Sequence, residues 1–351
     1  MNASATIRAS YIRQTRMSFA PPAPRPLSIP ATIHDLEPRP AQSEKLASLN
    51  VINHIEYRQQ CHSERHAAHI HFDLEKNADT DQAYIDHRYL DSEPPFKIRL
   101  KKVFTTFPYR DPIYLVALIF LLGSVDLVIN AFSDLLPRTI PSTAFETEET
   151  VAVPTTVLIG SILFFAAGIL DTFGALNADA GVMEKSKEDP ERMVFKPALL
   201  GSREFKWLPG RQKLLDLTMG NLAFQAGLIV LFGGIIFMFA GIVDFPGVVR
   251  EERNPAFGLV VFGPQVIHGV LFFVANGMLA VSEQEKWWRP KIWDADWQGA
   301  FLNAVGGFGF MVAGVFLFQR DEKNAGVAAM VGSWAFLSGS AVRLWVVMEV
   351  W

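Results

Sequence analysis

The sequence predicts an all-α integral membrane protein: a six-helix transmembrane bundle, built as three repeated helix hairpins, behind a mostly disordered N-terminal segment. Long charge-free apolar runs, an uneven distribution of glycine and histidine, and a recurring glycine–phenylalanine spacing predict it. A spanning helix needs about 20 mostly apolar residues. Uncharged runs of at least 19 residues lie between Glu149 and Asp171, Asp216 and Asp244, Arg253 and Glu283, Asp296 and Arg320, and Lys323 and Arg343. A sixth run begins at Pro112 and is interrupted only by Asp126. The spans are therefore placed near 112–133, 154–176, 220–243, 257–281, 297–318 and 325–348.

All 25 glycines lie beyond residue 112, whereas seven of the eight histidines precede it. Membrane helices use glycine for close packing, so this split divides the chain in two. Residues 1–95 read as a cytosolic, largely disordered segment with a His-rich stretch, and residues 96–351 as the six-span domain. Pro21, Pro22, Pro24, Pro26 and Pro30 break any helix near the start. The acid-poor, Arg-rich opening (Arg8, Arg13, Arg16, Arg25) also fits a mitochondrial presequence, the less favoured reading beside a plasma membrane or endomembrane location.

Lys and Arg favour the cytosolic side of short loops. The flank 96–111 carries Lys97, Arg99, Lys101, Lys102 and Arg110; with the loops 177–216 and 283–296 the total is sixteen, against five in the other loops. Both termini are expected in the cytosol. Trp207, Trp287, Trp288, Trp293, Trp297, Trp345 and Trp351 map to the same side, where indole favours the headgroup level. The run from Glu285 to Trp293 reads as an interfacial anchor.

Five spans share a spacing of four: Gly160, Phe164 and Gly168; Gly233, Phe237 and Gly241; Gly269, Phe273 and Gly277; Gly306, Phe310 and Gly314; Gly332, Phe336 and Ser340. The first span has the weaker Gly123, Leu127 and Ala131. Such residues share one helix face, where small residues admit a neighbouring backbone and a ring fills the gap.

The phrases Leu-Ile-Gly-Ser-Ile-Leu-Phe-Phe at 158–165 and Val-Gly-Ser-Trp-Ala-Phe-Leu-Ser-Gly-Ser at 331–340 resemble the Gly-Ser-rich hairpins of YrhK-like domains, small membrane helix pairs. The stretch from Pro94 to Asn130, with Pro-Pro-Phe-Lys-Ile-Arg-Leu and Phe-Pro-Tyr-Arg-Asp-Pro, is similar to the entry to the membrane region of fungal multi-pass proteins. Neither resemblance implies a catalytic motif.

His62, His66 and His69 would share one face of a helix and can ligate Zn²⁺ or Cu²⁺, although they match no standard zinc spacing. A solvated, pH-sensitive tail is the alternative. The intramembrane ionisable residues are Asp126, Asp171, His268 and Arg343. A charge at the bilayer centre costs roughly 2.5–3.5 kcal/mol on insertion scales, so such groups face a partner or a cavity. Asp171 and Arg343 lie at matching depths near the cytosolic ends of their spans and are expected to pair. The chain carries no phosphate loop, no His-Glu-x-x-His and no Gly-x-Ser-x-Gly, so no enzyme and no cofactor is expected. A net charge of −4 points away from nucleic acid. The expected partners are the lipid bilayer and cytosolic proteins met through the N-terminal segment. Two functions remain: a membrane scaffold or interaction protein, and a transporter or channel for protons, ions or a small solute.

Overall fold

The computed structural model describes residues 3–8, 11, 96–185, 193–249, 256–284 and 286–348. The bundle unit comprises Met1–Ile12 and Pro95–Trp351. Its six spanning helices are α2 (Pro112–Thr139), α3 (Val153–Leu176), α5 (Leu222–Val243), α6 (Phe257–Ser282), α7 (Ala295–Phe318) and α8 (Glu322–Val347). All six are long and apolar enough to cross a bilayer. Two shorter helices, α1 (Phe96–Thr105) and α4 (Arg211–Gly220), precede α2 and α5. The protein is a polytopic all-α membrane protein, with one addition. In the loop after α3, β1 (Gly181–Lys185) and β2 (Met193–Pro197) form an antiparallel hairpin.

The spans run close to where the charge-free runs end, with one difference. Helix α2 continues past position 133 to Thr139, through Asp134, Pro137 and Arg138. Arg138 makes this possible by pairing with Asp134 one turn back and with Glu322 of α8. Helix α6 contains Pro264 yet runs unbroken.

Each spanning helix packs on its neighbours in sequence, and α8 closes on α2 to complete a ring. Serine marks that closure: Ser124 and Ser340 share a hydrogen bond of 2.9 Å between α2 and α8. The proximal end of the ring is where α2, α5 and α7 begin and α3, α6 and α8 end. The opposite end is distal.

Three hairpins repeat one local plan. The first helix of each starts on an Asx N-cap whose side chain accepts a backbone N–H: Asp111, Asn221 and Asp294. Twelve residues on, each has a glycine: Gly123, Gly233 and Gly306. A Cβ there would lie 2.8, 3.0 and 2.6 Å from the ring of Phe164, Phe272 and Phe336, which belong to the second helix of the same hairpin. The three rings can enter only because these positions lack side chains. Elsewhere backbones nearly touch: a Cβ on Gly269 would run into the Met311 nitrogen, and one on Gly309 would meet the Gly332 Cα at 2.7 Å. Without water to drive association, such close packing carries much of the cohesion.

The spacing-of-four reading is corrected in α6. The axial ring there is Phe272; Phe273 faces outward, 41% exposed, against Phe308, and nothing lies within 4 Å of a Cβ on Gly277. By position relative to the axial ring, His268 stands where α3 has Gly160 and α8 has Gly332. The inward face of α6 therefore lies one residue earlier than its glycines suggest.

Candidate vestibule at the proximal end and the closed bundle axis

Halfway along the bundle, Leu127, Phe164, Phe237, His268, Phe272, Phe310 and Phe336 surround a small void, with about 10 Å³ open to the centre of a water-sized sphere. Phe164 is the hub. Its ring centroid lies 4.6 Å from Phe120, 6.0 Å from Phe237, 5.7 Å from Phe272 and 5.6 Å from Phe336, all edge to face. Edge-to-face rings attract through their quadrupoles and pack as densely as any protein interior.

His268 is the polar residue that lines this void. Its imidazole stacks on Phe237 at 4.3 Å, and Nδ1 lies 3.3 Å from the Pro264 carbonyl oxygen. That oxygen can only accept, so Nδ1 carries the proton in this contact. Asp126 lies between α2 and α3, its Oδ2 2.8 Å from where a Gly160 Cβ would stand.

The proximal end differs in kind. Residues 3–8 form a short helical segment that enters the ring. Ala3 is 1% exposed and joins the axial core with Val116, Phe120, Ala226 and Val230. Asp171 of α3 receives the segment: its Oδ2 accepts the Ala3 N–H at 3.0 Å, and its Oδ1 accepts the Ser4 N–H at 2.9 Å and the Ser4 hydroxyl at 2.7 Å. A carboxylate bonded by three donors is well compensated for burial. Ala5 packs toward Ile113, Tyr114 and Val347, and Ile7 toward Ala175, Leu176 and Phe224. Arg8, 3% exposed, donates from Nη1 to Asp111 Oδ2 at 2.7 Å, while Asp111 Oδ1 accepts the Ile113 N–H at 3.1 Å. The same carboxylate thus caps α2 and holds the segment. Glycine provides the room: a Cβ on Gly174 would stand 3.0 Å from Ser4, and one on Gly227 3.0 Å from the Ala3 Cβ.

The expected pair between Asp171 and Arg343 does not form. Arg343 Nη1 donates to Asp296 Oδ1 at 2.6 Å. Depth matched, but ring order decided: α8 borders α7 and α2, whereas α3 borders α2 and α5. Asp171 and Arg343 occupy equivalent places in two hairpins, seven residues after Phe164 and Phe336, and the ring holds equivalent places apart. Buried polar atoms without a partner gather toward this end, among them Asn276 Oδ1, both Asn303 amide atoms, and Nε of Arg8 and of Arg343.

Other residues singled out in the sequence have clear places. Gly160, Gly168, Gly241, Gly314 and Gly332 lie at helix contacts, and Ala131 is buried in α2. Trp287, Trp288 and Trp293 are exposed at the proximal end, whereas Trp297 is buried. His62, His66, His69 and Cys61 lie outside the described residues; within them no three His, Cys, Asp or Glu side chains are grouped to hold a metal. Sequence reasoning missed the docking of residues 3–8. Its signal was Ser4 and Arg8, in a segment whose arginines, prolines and lack of acids point to a presequence or a disordered tail. Comparison with protein-family models, curated proteins and solved structures found no match to this chain.

Proposed function

We propose that this is a structural or interaction protein of the membrane, a scaffold whose closed bundle sits in the bilayer and whose N-terminal segment meets cytosolic proteins. One observation supports this above the rest: the bundle axis is filled by aromatic rings, and the space among them has room for about one water-sized sphere. It is lined by carbon except at His268, and Asp171 is not among its lining residues. The continuous α6 adds support, since secondary transporters commonly place discontinuous helices at the midplane. On this reading both termini face the cytosol, in a plasma membrane or endomembrane. The Gly-Ser phrases at 158–165 and 331–340 support a proposed kinship with YrhK-like helix pairs, because both lie on second helices of the repeated hairpins.

Conduction of protons, ions or a small solute is the second reading, favoured by the buried carboxylate at the proximal end. Proteoliposome flux separates the two. Vesicles holding the full chain should pass protons, K⁺ and Cl⁻ no faster than empty vesicles. Flux above that background, lost in Asp171→Asn, would replace the scaffold by the conduit.

A further inference from the structure

The proximal vestibule is a built site with an occupant, and its construction indicates how that occupant is held. Two buried carboxylates, Asp171 and Asp111, take up donors of residues 3–8: two backbone N–H groups, one hydroxyl and one guanidinium nitrogen. The side chains that enter are small, Ala3 and Ala5, and the walls facing Ala3 and Ser4 are Gly227 and Gly174. Ile7 is the one large apolar side chain among residues 3–8, and it is only partly buried. Polar contacts thus dominate over apolar burial. A helical stretch this short has no stability of its own, so its order is coupled to docking. Arg8 also leaves Nε and Nη2 buried without partners, a cost that undocking relieves.

We propose that the proximal vestibule is a peptide-binding site whose resident ligand is the protein's own N-terminal segment, docked as a reversible plug. The class of ligand it takes is a short peptide that presents small residues to the glycine walls, offers two successive N–H groups and a hydroxyl to Asp171, and places a cation four residues later on Asp111. Withdrawal of the plug uncovers Asp171 at the floor of a glycine-walled recess. A negative charge on Ser4 expels the plug, because the Ser4 hydroxyl lies 2.7 Å from a carboxylate oxygen and like charges at that distance repel strongly. The inference holds whether the bundle scaffolds or conducts, because it concerns occupancy of one end.

The test uses the full chain with Cys61→Ser as background and Ala3→Cys as reporter. The reporter thiol is buried when docked, so maleimide reacts only through the undocked state. Labelling should be slow but measurable, and at least ten-fold faster with Asp171→Asn or with Ser4→Asp. The second variant alters the plug and leaves the bundle intact, so it answers if the first folds poorly. A soluble peptide of residues 1–12, added to the full chain with Ser4→Asp, should raise its thermal midpoint in detergent, and the same peptide with Ser4→Asp should not. Equal labelling rates in the background and in Ser4→Asp would overturn the proposal. So would a midpoint unmoved by the peptide.

Discussion

Asp244 shows how a single side chain at the distal end records its surroundings. It follows the last residue of α5, where burial pushes its carboxyl up to about 6 and the nearby Asp134 adds to the rise. Between about pH 4, the value for a free Asp, and about 6, the folded chain binds more protons at this site than the unfolded chain. Stability therefore falls as pH rises through that window, and the loss is complete above it. Asp244→Asn should raise the detergent melting midpoint at pH 7 by a few degrees and flatten its decline between pH 4 and 6. A midpoint profile parallel to the native one across that range would show that Asp244 does not titrate as described. His268 contrasts with Asp244. Its ring is used as a flat surface against Phe237, with one nitrogen satisfied inside its own helix.

At the scale of the element, the repeated hairpin is the unit that makes the bundle. Its first helix begins at an Asx cap, and its glycine twelve residues on receives the ring of the second helix. The cap sets the start of the helix and the glycine sets how closely its partner can lean. Gly306→Ala puts a methyl 2.6 Å from the Phe336 ring and should cost about 1–3 kcal/mol through overpacking. Gly277→Ala, with nothing within 4 Å, should be neutral or stabilise by up to about 1 kcal/mol through helix propensity. Melting midpoints of the two variants check this directly. Equal effects would mean that helix contacts do not distinguish the two positions.

For the whole molecule, the proposed orientation rests on the loops between spans. The proximal end holds the basic flank 96–111, the loops 177–216 and 283–296, and the exposed Trp287, Trp288 and Trp293, with the Lys286 ammonium 5.6 Å from the Trp288 ring centroid. That combination suits an anionic cytosolic leaflet. In the Cys61→Ser background, an impermeant maleimide applied from outside should label Thr147→Cys, which is exposed at the distal end, and spare Leu208→Cys, which is 91% exposed at the proximal end. The reverse pattern would invert the bundle. Closure of α8 on α2 also explains how the proximal end can hold a peptide: residues 3–8 find contacts from α2, α3, α5 and α8 at once.

Much of this was legible in the sequence. Span number and extent followed from uninterrupted apolar length, because a helix in lipid must satisfy its backbone internally over a set thickness. The helix faces that pack followed from spacing in α3, α5, α7 and α8, since residues four apart stay on one side of a helix. Spacing failed at α6, where only Phe273 has glycine four residues to either side, yet the ring that meets Gly233 is Phe272, flanked by His268 and Asn276. Depth placed Asp171 and Arg343 near one end but left their neighbours open, because a distance along the helix axis carries no azimuth. Ring order assigned Arg343 to Asp296, and the space left by Gly174 and Gly227 let residues 3–8 claim Asp171. Local periodicity and hydrophobic length therefore specify the helices and the faces they pack on. The tertiary structure chose which polar groups meet, because partners on different helices, 47 residues apart for Arg343 and Asp296 and 167 for Ser4 and Asp171, are set by how the helices are arranged around the ring.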